Sequence, residues 1–300
     1  MNEAEAFSPG HVTGLFSIHE DADPRRKGSL GAGFCVALGV SSRVAESERE
    51  LYIFDGQLQA DVPVSRAVVR LFFEHTGLPR QPLLVTQTSA LPVGCGFGTS
   101  GAGALSLVLA LNALCGAPLA REEAAALAHL AELEIGTGLG TVIGELSGGM
   151  EIRAAAGAPG TGRVIPVPFQ ESWRAVFLVF GPLSTAGLLK QPALRSRINS
   201  AGLVLLDEFK ANPTPDCYLA LASEFTRRTG LLTPLLEPVV QTLESAGFTP
   251  AMLMFGEGVY TLVPEELVSQ VTSLLARFQK GAHLLVTPID PQGGRVIHVL

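Results

Sequence analysis

Apolar residues recur along this chain in two rhythms, and the switches between them predict its elements. Val12 to Ile18 runs apolar like a strand, and the polar stretch His19 to Lys27 follows it as a solvated loop. Gly33 to Val40 and Leu51 to Phe54 read as paired strands. Val64 to His75 places Val68, Leu71 and Phe72 at near-helical spacing, and Leu83 to Thr88 returns to strand. A glycine-rich stretch then leads into a helix, capped by Thr99 or Ser100 and stopped by Gly116 and Pro118. Leu105, Leu107, Val108, Leu109, Leu111 and Leu114 cover most of its faces, so it belongs in the interior. Arg121 to Glu134 forms the next helix, with His129 and Glu132 on one face. A short helix to Leu146 and a strand from Gly148-Gly149 complete the first half.

The small, turn-prone run 156–162 is the best boundary candidate, dividing the chain into 1–160 and 161–300. Beyond it come an apolar strand from Ala175 to Phe180 and helices over 184–190, 194–209, 215–228 and 234–246. Ala251 to Phe255 and Val259 to Val263 suggest a hairpin around Gly256-Glu257-Gly258. Pro264 opens an amphipathic helix with Leu267, Val268, Val271, Leu274, Leu275 and Phe278 on one face, and His283 to Thr287 is a further strand. Strands, helices, hairpin, helix and strand in this order suit an α+β architecture with antiparallel sheets.

Composition narrows the function. With 47% apolar residues, 300 residues can bury a sizeable core. A net charge of −7 argues against nucleic acid or an acidic membrane as the main partner, leaving a small molecule. The acidic start Met1-Asn2-Glu3-Ala4-Glu5 is no secretory signal, and the most apolar stretch, 102–114, is too short to span a bilayer. A soluble cytoplasmic protein is expected. Cys35, Cys95, Cys115 and Cys217 are scattered without a C-x-x-C pair, so zinc is not expected. Buried reduced thiols are the default, with Cys95 partly exposed in the glycine loop.

That loop carries the chemistry. Five of the ten residues from Gly94 to Gly103 are glycine, and hydroxyl-bearing Thr99 and Ser100 stand at the start of the helix. Inward-turned amides and the positive end of a helix dipole make an anion cradle, most often for phosphate. A Walker A ending requires a lysine, yet none occurs between Lys27 and Lys190. Gly96, Gly98 and Gly101 satisfy G-x-G-x-x-G, but the following region, Pro118 to Glu123, begins a helix instead of a second strand ending in an acid. A tight loop with glycines for packing alone also stays open.

Pro92 to Ala104 resembles the phosphate-binding motif of the GHMP kinases. Ser8 to Gly14 resembles the Pro-x-His motif at their N-terminus. Lys27 to Phe34, His129 to Glu132, Thr137 to Gly140, Gly148 to Arg153 and Ala251 to Glu257 resemble one branch of that superfamily, the archaeal pantoate kinases. The resemblance implies a domain like ribosomal protein S5 domain 2, then a ferredoxin-like domain, with the site between them. It also implies ATP, Mg²⁺ and pantoate, and suggests a homodimer. Gly94, Gly96, Gly98, Thr99, Ser100 and Gly101 would hold the nucleotide, with Ser100 and Glu132 on the metal. His11, Ser29, His129 and Arg153 would bind the acceptor, the arginine gripping its carboxylate.

The match departs at Thr141. Pantoate kinases typically read Thr-Gly-Leu-Gly-Asp there, the aspartate serving as base or charge stabiliser, whereas this chain has Thr137-Gly138-Leu139-Gly140-Thr141. Three readings stay open. Glu145, one helical turn on, reaches the site; or positioning and Mg²⁺ suffice for a loose transition state; or the chain is a weak or non-catalytic nucleotide binder, or acts on another hydroxy acid or alcohol.

Overall fold

The computed structural model describes residues 2–183 and 191–300. The helix expected over 184–190 lies outside the described residues. Two long strands, β1 (Glu3–His19) and β2 (Gly28–Glu46), form an antiparallel hairpin that runs well past the predicted apolar stretches. Burial alternates where β1 begins, over 3–8, and where β2 ends, over 41–45; between these stretches helices on both faces bury most residues. One face carries the apolar helix α2 (Thr99–Leu114), and the other receives α5 (Pro192–Ala211) and α6 (Pro215–Thr229). Pro9, which cannot donate to a ladder, falls at a register shift next to Gly10.

The hairpin anchors an eight-stranded sheet. The end of β2 pairs with β5 (Leu83–Ser89), which pairs in parallel with β3 (Leu51–Phe54), itself paired with the short β4 (Gln57–Leu58). The start of β2 pairs with β6 (Met150–Ala155), which carries β7 (Arg163–Val167). The outer side of β1 takes β12 (Arg295–Val299), a strand the sequence pattern did not reveal. Thus β7 and β12, both beyond residue 160, belong to the first sheet. Helices α1 (Pro63–Thr76), α2 and α3 (Arg121–Ile135) pack together over a second core, and short α4 (Val142–Ser147) follows.

A second sheet, in the order β11-β8-β10-β9, is fully antiparallel: β8 (Trp173–Pro182), β9 (Ala251–Met252), β10 (Gly256–Pro264) and β11 (His283–Pro288). Helices α7 (Glu237–Ser245) and α8 (Val268–Leu275) accompany it, the latter flanked by 3₁₀ turns. The expected hairpin turn moves upstream: it falls on Met254 and Phe255, with Phe255 at φ 67°, and Gly256 already lies in β10. Leu253 accepts from the Gly256 amide and donates to Gly258, which closes the turn before the glycines.

One aromatic cluster joins the two halves. Phe34 from β2 meets Phe177 from β8, Tyr218 from α6 and Tyr260 from β10, with ring centroids 5.6–6.5 Å apart. The tyrosine hydroxyls bond each other at 2.9 Å, so their burial leaves no polar atom stranded. Phe34→Ala is expected to destabilise the fold by about 3–5 kcal/mol, read as a lower urea midpoint. A loss under about 1 kcal/mol would show that the cluster is not what holds the halves together.

Candidate active site

The loop between β5 and α2 turns on Gly94, Gly96 and Gly98, whose φ values of 76°, 88° and 62° lie in the left-handed region. Gly98 is the N-cap of α2. The expected cap from Thr99 or Ser100 is not made, because both residues are already helical. Instead the Ser100 hydroxyl donates to Glu132 Oε1 at 2.5 Å. The first-turn amides of α2 thus have no side-chain cap, an arrangement suited to an anion. Gly96 is pressed against the β9–β10 turn: a Cβ there would stand 2.8 Å from the Met254 carbonyl oxygen and 3.2 Å from the Gly256 nitrogen. Cys95 is buried, not partly exposed, and burial raises its thiol pKa. All four cysteines are free.

Glu132 projects from α3 toward this loop. It also accepts from the Thr137 hydroxyl at 2.6 Å, a partner sequence reasoning missed. Burial raises its pKa, against the lowering effect of the two hydroxyls. A buried carboxylate flanked only by neutral hydroxyls lacks a compensating cation, and hard oxygen donors at a phosphate cradle fit Mg²⁺. Among the described residues no group of three acidic, histidine or cysteine side chains could hold a metal alone.

A second polar cluster joins β1 to β6. His11 Nε2 is 2.8 Å from Glu151 Oε1, which also accepts from Arg153 Nη1 at 2.8 Å. All three side chains are buried. Arg153 Nη2 lies near the Thr13 hydroxyl at 3.5 Å, while Arg153 Nε and Glu151 Oε2 have no partner. Glu151 and Thr13 were not singled out from the sequence. The available signal was an i, i+2 pair of opposite charges, Glu151 and Arg153, which a strand sends to one face.

Ser29 and His129 form a third group. His129 Nε2 lies 3.3 Å from the Pro24 carbonyl oxygen and 3.0 Å from that of Lys27. Carbonyls only accept, so Nε2 carries the proton and the partnerless Nδ1 is an acceptor. Burial holds the histidine pKa below its ordinary value, outweighing both carbonyls. The loop from His19 to Lys27 is therefore solvated outside and held by His129 from beneath. Gly140 connects this group to the rest: a Cβ on it would be 3.4 Å from Ser29 N and 3.6 Å from His129 Cε1. Thr141, the next residue, faces Gly101 of the phosphate loop.

Residues 64–149 match the family model for the GHMP kinases N-terminal domain. A pantoate kinase of Thermococcus kodakarensis is 34% identical over 282 residues, covering 90% of this chain and 91% of the relative. The chain belongs to the GHMP kinases, in their pantoate kinase branch. A pantoate kinase of Methanocaldococcus jannaschii is 28% identical, covering 90% of this chain and 96% of its own. A solved structure described as a phosphotransferase related to the coenzyme A biosynthesis pathway superposes with a TM-score of 0.87, at 28% identity and 98% coverage of both chains. The homoserine kinase of Cytophaga hutchinsonii shares the fold, with a TM-score of 0.71 at 18% identity and coverage of 99% and 98%. The expected α+β GHMP kinase fold is thus the fold of this kinase.

Two outcomes follow for its site. Glu151→Ala leaves Arg153 buried without its counter-charge and is expected to cost about 3–5 kcal/mol in urea unfolding; a loss below about 1 kcal/mol would mean the cluster is solvated. The second concerns pH. Folded His129 resists protonation while the unfolded chain takes a proton near pH 6.5. Its stabilising contribution is therefore complete above about pH 6.5 and lost as pH falls below it. His129→Gln should flatten the fall in stability between about pH 7 and 5; an unchanged slope in pH-resolved denaturation would contradict this.

Proposed function

We infer that this kinase transfers the γ-phosphoryl group of ATP to a hydroxyl of pantoate, giving 4-phosphopantoate for coenzyme A synthesis. The observation that carries the reading is a juxtaposition. An uncapped helix start, with the half-buried Ser100 hydroxyl on the buried Glu132 carboxylate, lies across Gly140 and Thr141 from Ser29 and the acceptor nitrogen of His129. Pantoate is a small anion with one carboxylate and two hydroxyls, and the residues divide along those lines.

Amides of Gly94, Gly96, Gly98, Thr99, Ser100 and Gly101 would hold the phosphates. Ser100 and Glu132 would hold Mg²⁺, whose bound charge would offset that of the phosphates. Arg153 spends Nη1 on Glu151, and its partnerless Nε suits the acceptor's carboxylate. His129 Nδ1 can accept from a hydroxyl but cannot grip a carboxylate. Ser29, beside it, can bond the same acceptor. His11, whose ring bonds Glu151, fixes the arginine from behind. The family likeness supports reading the enzyme as a cytoplasmic homodimer. No described helix is long and apolar enough to cross a membrane. A different hydroxy acid remains the second reading, because Thr141 replaces an acid at the centre of the site.

Purified protein is expected to release ADP from Mg-ATP only when pantoate is added. Retained ATP binding without turnover would overturn the activity. Arg153→Ala should raise KM for pantoate at least ~30-fold, with KM for ATP within about two-fold, as loss of a charged hydrogen bond predicts. Equal effects on both constants would remove Arg153 from the acceptor site.

A further inference from the structure

Glu145 is a carboxylate without a charged partner. It is fully buried in α4, neither oxygen meets a donor in full hydrogen-bond geometry, and the Thr141 hydroxyl faces it. Such a group is costly unless it has work to do. The chain makes room for it. A Cβ on Gly98 would stand 2.7 Å from Glu145 Oε1, and one on Gly101 2.8 Å from Oε2. The phosphate loop and the first turn of α2 therefore close around this carboxylate with bare backbone.

Thr141 adjoins it on the more exposed side. The Gly101 Cβ position that meets Glu145 is also 3.1 Å from Thr141 Oγ1. Thr141 precedes Glu145 by one helical turn, and the Glu145 amide donates to its carbonyl at 3.0 Å. The Thr141 hydroxyl makes no capping bond with α4 and faces the carboxylate instead. Thr141 is partly exposed where Glu145 is sealed. Its neighbour Gly140 packs on Ser29 and His129. Residues 140 and 141 therefore link the two sides: Gly140 packs on the acceptor side, and the Thr141 hydroxyl faces the first turn of α2 with an acid behind it.

We propose that Thr141 and Glu145 form a proton relay for the acceptor hydroxyl, the carboxylate acting through the threonine. The inference rests on the kinase reading above. The acceptor oxygen forms its bond to the γ-phosphorus as its O–H bond breaks. The bond from that phosphorus to the β,γ-bridging oxygen breaks, and its electron pair leaves with ADP. The acceptor proton passes to Thr141 Oγ1, whose own proton passes to Glu145. After product release the proton returns to solvent by the same route.

The charged groups facing Glu145 are Glu132 from α3 and Glu151 and Arg153 from β6, while His11 of β1 lies against the neighbouring Gly144. Burial foremost, then Glu132, raises the proton affinity of Glu145, while Thr141 and Arg153 lower it. That balance suits a group that must accept a proton away from water.

The test is steady-state ADP release with Mg-ATP, pantoate and a panel of other hydroxy acids and alcohols. Glu145→Gln keeps the shape and should lower kcat about 100-fold, with KM for ATP within about three-fold. Thr141→Val should lose as much, and the double variant no more, since the pair acts as a unit. Thr141→Ser should keep activity within about three-fold, by retaining the hydroxyl. Thr141→Asp on the Glu145→Gln background should restore at least ~10-fold, because it returns a carboxylate to the cleft.

A structural role is read separately. The folded pKa of Glu145 lies above its unfolded value, so its stabilising contribution exists at acid pH and is lost as pH rises. Glu145→Gln should therefore melt no lower than wild type at neutral pH. Wild-type-like kcat in Glu145→Gln, with any acceptor, overturns the relay and leaves the kinase reading standing. If pantoate is inert and another acceptor is phosphorylated, the substrate assignment falls and the relay is judged on that acceptor. If wild type phosphorylates nothing in the panel, both fall.

Discussion

The site depends on where His11 is held. Its amide donates to Phe97 of the glycine loop at 2.8 Å, and its ring bonds Glu151 of β6 at 2.8 Å. Neighbouring glycines yield space to that ring: a Cβ on Gly33 would lie 2.5 Å from Cε1, and one on Gly144 2.9 Å from Nε2. One residue on β1 thereby sets the spacing of β2, β6 and α4 through its ring, and of the glycine loop through its amide. The bonded partner cannot be neutral filler, because Glu151 is also the counter-charge of a fully buried arginine. An unpaired guanidinium at that depth would be expelled or would unfold its surroundings.

Charge is sorted along the cleft. Carboxylates of Glu132 and Glu145 sit at the phosphate loop, where helix dipole and backbone amides favour negative groups. The arginine sits on β6, paired with Glu151 of the same strand. An overall charge of −7 says nothing of this arrangement, since the cationic feature is a single buried group. The molecule need not be basic to receive two anions; it needs donors that are fixed in advance and shielded from water.

The turns of the glycine loop were legible in the sequence, because glycine takes a left-handed backbone without strain. The strands β1 and β2 were placed correctly but cut short: the missed start of β1 and end of β2 alternate in burial, yet Ala4, Ala6, Ser41 and Ser42 are too small to give a strong apolar rhythm. β12 was invisible because its pairing to β1 joins the two ends of the chain, and its exposed apolar residues carry no burial signal. Thr137 and Glu151 were missed for a different reason. Each matters through a partner set by the fold, Glu132 in one case and His11 in the other. Residue type announces a nucleophile or a cradle more clearly than it announces the group that holds one in place.

The contact of Gly96 with the β9–β10 turn has a mechanical meaning. Main chain lies on main chain there, with no rotamer that could flip to absorb a displacement. The cradle and the edge of the second sheet must travel as one rigid piece. A disturbance planted at that distant edge would be felt at the first turn of α2, although nothing near that helix had been altered.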